Sequence, residues 1–166
     1  MRVLLACSSR HGATDEIADR IAAVLDKRGL DVARSAPQSV RSLDGIDAVV
    51  LGSAVYIGRW LEPARGFVTR FADELANRDV WLFSSGPIGD PPKPDELPVD
   101  AVALAEATGA RDHQVFAGRV ERRRLGMAER AVMRALKVAD RDDRDWDAIR
   151  DWANSIADAL ADRPAR

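Results

Sequence analysis

Arg2-Val3-Leu4-Leu5-Ala6-Cys7-Ser8-Ser9-Arg10-His11-Gly12-Ala13-Thr14-Asp15-Glu16-Ile17 is the stretch on which the fold turns. Its opening is a short apolar run ended by Ser8-Ser9, which reads as a strand buried on both faces of a parallel sheet. From Thr14 to about Arg28 the pattern changes: Ile17, Ile21, Val24 and Leu25 recur at helical spacing. Asp15 and Glu16 stand in the first turn, where the helix dipole favours negative charge, and Gly29 stops the helix. Ser9, Gly12 and Thr14 therefore lie between a strand and a helix N-terminus. Backbone N–H groups and the positive dipole end make an anion site there. The hydroxyls of Ser9 and Thr14 can add donors, and Gly12 lets the backbone come close. No Gly-Lys-Ser/Thr follows, so nothing is placed to hold Mg²⁺ and a β/γ-phosphate; the Gly-x-Gly-x-x-Gly fingerprint is missing as well. A monophosphate fits best. The alternative is a helix capped by Ser or Thr with no ligand.

Beyond this stretch, strands and helices alternate. Leu30–Ala33, Ile46–Leu51, Val80–Phe83 and His113–Gly118 read as further strands. Residues 61–76 read as a helix with Pro63 in its first turn, and 99–108 as a short one. Leu125, Ala128, Val132 and Leu136 mark an amphipathic helix, and Trp146 to Leu160 a last one. Residues 87–98, rich in Pro, Gly and Asp, read as loop. This alternation predicts an α/β fold: a doubly wound, five-stranded parallel sheet covered on both faces, in three αβα layers. Either common strand order is compatible with it. In both, a ligand binds outside the carboxyl ends of the strands at the topological switch point. The ends of strands one, three and four, where Ser and Gly cluster, are thus the expected site.

At 166 residues, 46% hydrophobic and 31% charged, the chain suits one domain over 1–166. Its one cysteine, Cys7, excludes an intramolecular disulfide and fits a reducing, cytoplasmic setting. No apolar run approaches the roughly 20 residues of a membrane span, and no signal peptide is expected. Net charge is −2. Residues 119–137 carry seven Lys/Arg and two Glu, whereas 138–166 carry five Arg and eight Asp. The basic segment is either a solvated helix paired with the acidic stretch or a docking surface.

The second loop, Gly52-Ser53-Ala54-Val55-Tyr56-Ile57-Gly58-Arg59-Trp60, frames an aromatic segment with glycines. A flat apolar ring could lie against Tyr56 or Trp60. The third, Ser84-Ser85-Gly86-Pro87-Ile88-Gly89-Asp90, can approach that ring from its other side. Cys7 is expected to be a small buried apolar residue and His113 structural. Asp15 and Glu16 point apart on a helix and form no carboxylate pair. A phosphorelay receiver would need acidic residues where Leu5, Ala6 and Cys7 stand.

With these three loops in place, the chain resembles the flavodoxin family. Ser9-Arg10-His11-Gly12-Ala13-Thr14 looks like its FMN-phosphate loop, and the other two like its isoalloxazine loops. The branch containing menaquinone-dependent protoporphyrinogen oxidase is the most similar, down to Arg144-Asp145-Trp146-Asp147-Ala148-Ile149. The resemblance implies sheet order 2-1-3-4-5 and non-covalent FMN. It implies that Ser9, Arg10, His11, Gly12, Ala13 and Thr14 surround the phosphate. Ser53, Ala54, Val55, Tyr56, Ile57 and Gly58 would flank the ring with Ser85, Gly86, Pro87, Ile88 and Gly89, and Gly58 would be a hinge. Residues 36–45 leave little room for a full second helix, and Pro87 and Ile88 stand where many electron-carrying members place an aromatic. The implied activity is electron transfer through FMN to or from a quinone or a redox partner protein. A flavodoxin-type carrier without its own substrate is the alternative. Arg119 to Lys137, longer than the connection in simple members, is expected to make a peripheral contact at the inner membrane face, or to pack along the domain edge or at a homodimer interface. No nucleic-acid partner is expected.

Overall fold

The apolar run is strand β1 (Arg2–Ser8), and the loop after it enters helix α1 (Ala13–Lys27). Strands β2 (Asp31–Ser35) and β3 (Ala48–Tyr56) follow, then the two-residue β4 (Arg59–Trp60). Helix α2 (Glu62–Arg70), the single turn α3 (Ala72–Leu75) and β5 (Asp79–Ser85) come next. After them stand α4 (Ala101–Thr108), β6 (Asp112–Phe116) and β7 (Arg119–Val120). The chain closes with α5 (Met127–Ala135), β8 (Arg141–Asp142) and α6 (Trp146–Ala161). The computed structural model describes residues 1–86, 100–135, 137 and 139–162. The loop expected at 87–98 lies outside them.

Five parallel strands run in the order β2-β1-β3-β5-β6, with β4 folded back antiparallel on the end of β3. Counting the parallel strands alone, this is the order 2-1-3-4-5. The switch point falls between β1 and β3, where the chain turns from one half of the sheet to the other.

Alternation along each strand splits the interior into two cores, as a sheet covered on both faces requires. Val3, Leu5 and Cys7 of β1 pack with α1 and α6, while Leu4 and Ala6 face Phe67, Val68 and Leu75 of α2 and α3. Trp152 fits edge-on between Phe83 and Phe116, at centroid distances of 6.1 and 5.6 Å. Gly29, at φ 83°, ends α1 in the left-handed conformation that glycine adopts without strain. Between β2 and β3 there is one 3₁₀ turn, Pro37–Ser39, in the span judged too short for a helix.

Two boundaries differ from the sequence reading. The helix expected over 61–76 breaks at Phe71, which turns in to meet the Phe67 ring at a tilt, with centroids 5.0 Å apart. Gly52 through Tyr56, expected as loop, continue β3, because Ser53 and Ala54 pair with Ser84 and Ser85 of β5. Gly52 is needed there for packing. A Cβ on it would lie 2.1 Å from the Phe83 ring.

Candidate functional site

Helix α1 begins at Gly12, φ 84°, with no side chain capping it. The first N–H groups of a helix have no acceptor within it. Elsewhere the chain does supply a cap: Asp145 accepts from the N–H groups of Asp147 and Ala148 at the start of α6. At α1 the Ser9 hydroxyl instead accepts from Gly12 N–H at 3.0 Å, folding the loop back on itself. No Ser or Thr side chain therefore caps α1. Ser8 Oγ, at the end of β1, is buried with no hydrogen-bond partner among the described residues. Gly12 stands in the left-handed conformation that glycine adopts without strain, and a Cβ on it would come within 2.9 Å of the end of the Arg124 side chain. Uncapped donors and a left-handed glycine at the helix start fit a phosphate.

The loop opens into a cleft of about 460 Å³, in the range of small-molecule sites. Ser9, Arg10, His11, Ala13 and Thr14 line one side, Ala54, Val55, Tyr56 and Ile57 a second, and Ser85 and Gly86 a third. The ends of β5 and β6 press together below: Gly86 N–H donates to the Phe116 carbonyl at 3.0 Å, and a Cβ on Gly118 would sit 3.3 Å from Gly86 N. Ser53 is not on the cleft. It is fully buried, and its Oγ accepts the Leu61 N–H at 2.9 Å. Gly58, φ 70°, forms with Ile57, φ 50°, the turn between β3 and β4, behind the lining residues. Pro87, Ile88 and Gly89 lie outside the described residues. Of the two aromatics considered as ring platforms, Trp60 is core. Its indole N–H donates to Ser84 Oγ at 2.7 Å, and its ring meets His113 edge-on. Tyr56 remains, half-exposed, with the Arg10 guanidinium 4.1 Å from its ring centroid.

The fourth side comes from a region that the sequence reading placed on a membrane, an edge or an interface. Leu125, Ala128, Val132 and Met133 turn the apolar side of α5 and its approach toward the cleft. No residue of α5 is buried in the core. Ion pairs hold this hood in place. Arg119 donates twice to Glu16, at 2.8 and 2.9 Å, and pairs with Glu121 at 3.2 Å. Arg144 bridges Glu16 at 2.8 Å and Asp142 at 2.6 Å. Glu129 of α5 pairs with Arg10 at 2.8 Å and His11 at 3.4 Å, latching the hood to the phosphate loop. The basic segment thus pairs mainly with acids of α1 and of its own turn. Only its positive charge and amphipathic spacing were visible beforehand; neither says what it covers.

Electrostatics follow from these contacts. The Arg144 and then the Arg119 hydrogen bonds hold the Glu16 carboxyl below the usual carboxylate range. Glu129 is lowered by the Gly126 N–H and by the His11 and Arg10 charges. Burial lowers His113, whose Nε2 lies 2.8 Å from Ser84 Oγ, so it holds the core as expected. Burial, with a bond from its thiol to Asp15 at 3.2 Å, pushes Cys7 up to about 12, leaving it no nucleophilic role. Asp15 and Glu16 do face different partners. Among the described residues there is no cluster able to hold a metal ion, and no helix is long and apolar enough to cross a membrane.

Solved structures share this arrangement at low identity. A flavodoxin from the domain Archaea superposes with TM-score 0.61 at 16% identity, over 97% of this chain and 99% of that one. A mutant flavodoxin from Pseudomonas aeruginosa gives 0.63 at 14%, over 97% and 99%. Rubredoxin oxygen:oxidoreductase from Desulfovibrio gigas gives 0.65 at 15% over 96% of this chain, which spans only 36% of that protein. A search of curated proteins finds no match. The flavodoxin domain family itself matches residues 4–147, nearly the whole described body from β1 to the start of α6. With its sheet order and its switch-point cleft, the chain belongs to the flavodoxin domain family, a membership that implies a flavin cofactor.

Proposed function

We propose that the chain holds one FMN non-covalently and passes electrons through it to an apolar acceptor of the quinone class. The observation that carries this reading is the cleft's asymmetry. Its phosphate end is built of uncapped N–H groups, hydroxyls and cations, and its other end of Ala54, Val55, Leu125, Val132 and Met133. When bound, the flavin would supply the redox chemistry; the protein supplies position and electrostatics. Ser9, Gly12, Ala13 and Thr14 would hold the phosphate. Tyr56, Ala54, Val55 and Ser85–Gly86 would flank the ring and exclude water from its inner edge. The apolar hood gives the ring end of the cleft a greasy wall, which supports a substrate of this protein's own. Its exposed Met127 and Val132 also suit a peripheral contact with a lipid surface, from which such an acceptor would be drawn. By resemblance to the protoporphyrinogen oxidase branch, a porphyrinogen is the reductant to try first.

The test is direct. Purified protein should be yellow and release FMN on heating, then turn over a porphyrinogen with a soluble menaquinone analogue in the steady state. Transfer only to a protein partner would instead make it a carrier. A colourless preparation that takes up no FMN would refute both.

A further inference from the structure

We infer that Arg124, a residue of the hood and not of the phosphate loop, is the cation that binds the flavin phosphate and makes the site select FMN over the unphosphorylated flavin. This rests on the FMN reading above and adds to it a specificity residue from a different part of the chain.

Four arginines approach the loop, and three are committed elsewhere. The Arg10 guanidinium lies over the Tyr56 ring and pairs with Glu129, which places it at the ring end of the cleft. Arg119 spends its donors on Glu16 and Glu121. Arg144 reaches the Ala13 carbonyl at 3.5 Å, but its side chain is buried between Asp142 and Glu16 and does not line the cleft. Arg124 lines the cleft, as Arg10 and Arg119 do, and shares Glu121 and Glu16 with Arg119, but of these three it is the one that donates to the loop backbone. Its Nη1 donates to the His11 carbonyl at 3.3 Å and lies 2.9 Å from the place a Gly12 Cβ would occupy, so it rests on the glycine turn itself. Its Nε is steadied by Glu121 at 2.9 Å, and Glu16 stands 3.9 Å from Nη1. The guanidinium is thus already aimed, and half-exposed, where a phosphate seated on the α1 N-terminus would meet it. A planar fork of donors suits a phosphate better than hydroxyls do. The loop's own Arg10 and His11 are paired with Glu129, and Arg124 brings the hood's charge to the loop backbone.

The experiment measures binding of FMN and of riboflavin to the full chain by quenching of flavin fluorescence, across a salt series. Wild type should prefer FMN. Arg124→Ala should lose about 10–100-fold in FMN affinity, the range for one charge-assisted phosphate bond, leave riboflavin binding unchanged, and flatten the salt dependence. Arg124→Lys should recover part of the loss. Arg123→Ala, which removes the same charge from an exposed neighbour, should behave as wild type. Equal losses for both flavins would make Arg124 a support of the hood and overturn the proposal. So would equal losses in Arg123→Ala and Arg124→Ala, or an unchanged FMN affinity in Arg124→Ala. A wild-type chain that binds neither flavin overturns the FMN reading first and this inference with it.

Discussion

Arg144 and Glu16 meet at 2.8 Å although 128 positions separate them in the chain, and the Arg144 side chain is only 3% exposed. This contact, with Arg119 on the same carboxylate, fixes the hood to the first turn of α1. Glu16→Gln keeps the shape and removes the charge, and leaves a buried guanidinium partly unpaired. We expect amide exchange over 119–144 to quicken about tenfold, as for losing roughly 1–2 kcal/mol of local stability. Exchange in β1, β3 and β5 should be unaffected. Unchanged exchange over 119–144 would show that the ion pairs do not hold the hood.

Acid should act on the same fastening. The carboxyls of Glu16, Glu129 and Asp142 all titrate below their ordinary values in the folded chain, chiefly through Arg144 for Glu16 and Asp142 and the Gly126 N–H for Glu129. The folded protein therefore binds fewer protons than the unfolded one. Their stabilisation is complete above the ordinary values, 4.5 for Glu and 3.8 for Asp. It is lost as pH falls through the lower folded values. Hood exchange, corrected for intrinsic rates, should be flat from about pH 6 to 8 and rise below about pH 4. A rise centred near neutrality would show that these carboxyls are not the fastening.

Cys7 should be silent to thiol reagents. With its pKa near 12 in place of 9.0, the thiolate is about a thousandfold scarcer at a given pH, apart from burial. Labelling at pH 8 should be negligible in the folded chain and rapid in denaturant. Fast labelling of folded protein would contradict the buried, Asp15-bonded thiol.

Gly52→Ala should destabilise the fold by about 1–3 kcal/mol, because the new methyl overlaps the Phe83 ring. Thermal melting would read this as a fall of several degrees. A neutral outcome would mean that Phe83 can swing aside, which its packing against Phe116 and Trp152 opposes.

Ile57 is a β-branched residue at φ 50°, in a turn whose two central positions are both left-handed. Asn tolerates that geometry far better, so Ile57→Asn should raise the melting temperature by the equivalent of about 1 kcal/mol. Since Ile57 lines the cleft and is exposed, the same change should weaken binding of an apolar ligand there. A lower melting temperature would show that its side chain packs more than its exposure suggests.

How much of this was legible follows from the range of each interaction. The parallel sheet could be read because buried strands write unbroken apolar runs and α1 writes a clear helical period; its strand order came only with the family resemblance. The strand-to-helix turn at 9–12 could be read because it is local, with strand end, glycine and helix start adjoining one another in the chain. The hood could not. Its position depends on Arg119 and Arg144 reaching Glu16 more than a hundred positions away, and nothing in 119–137 names that partner. Strands β4, β7 and β8 have two residues each, too few to show a period. Trp60 and Tyr56 carry the same signal in a glycine-framed segment; only the Ser84 hydroxyl, reached through folding, draws one inward. Ser53 reads as a loop residue until its pairing with Ser84 puts it inside the sheet.

The bare start of α1 has a consequence for the life of the protein. A helix whose leading donors are left to a ligand gains stability with the logarithm of the ligand's concentration. An anion that binds the folded chain alone at a hundred times its dissociation constant adds about 2.7 kcal/mol, a sizeable share of an ordinary domain's stability. On the FMN reading proposed above, flavin-starved molecules would be the first lost to proteolysis, and the abundance of this chain would track the supply of its cofactor.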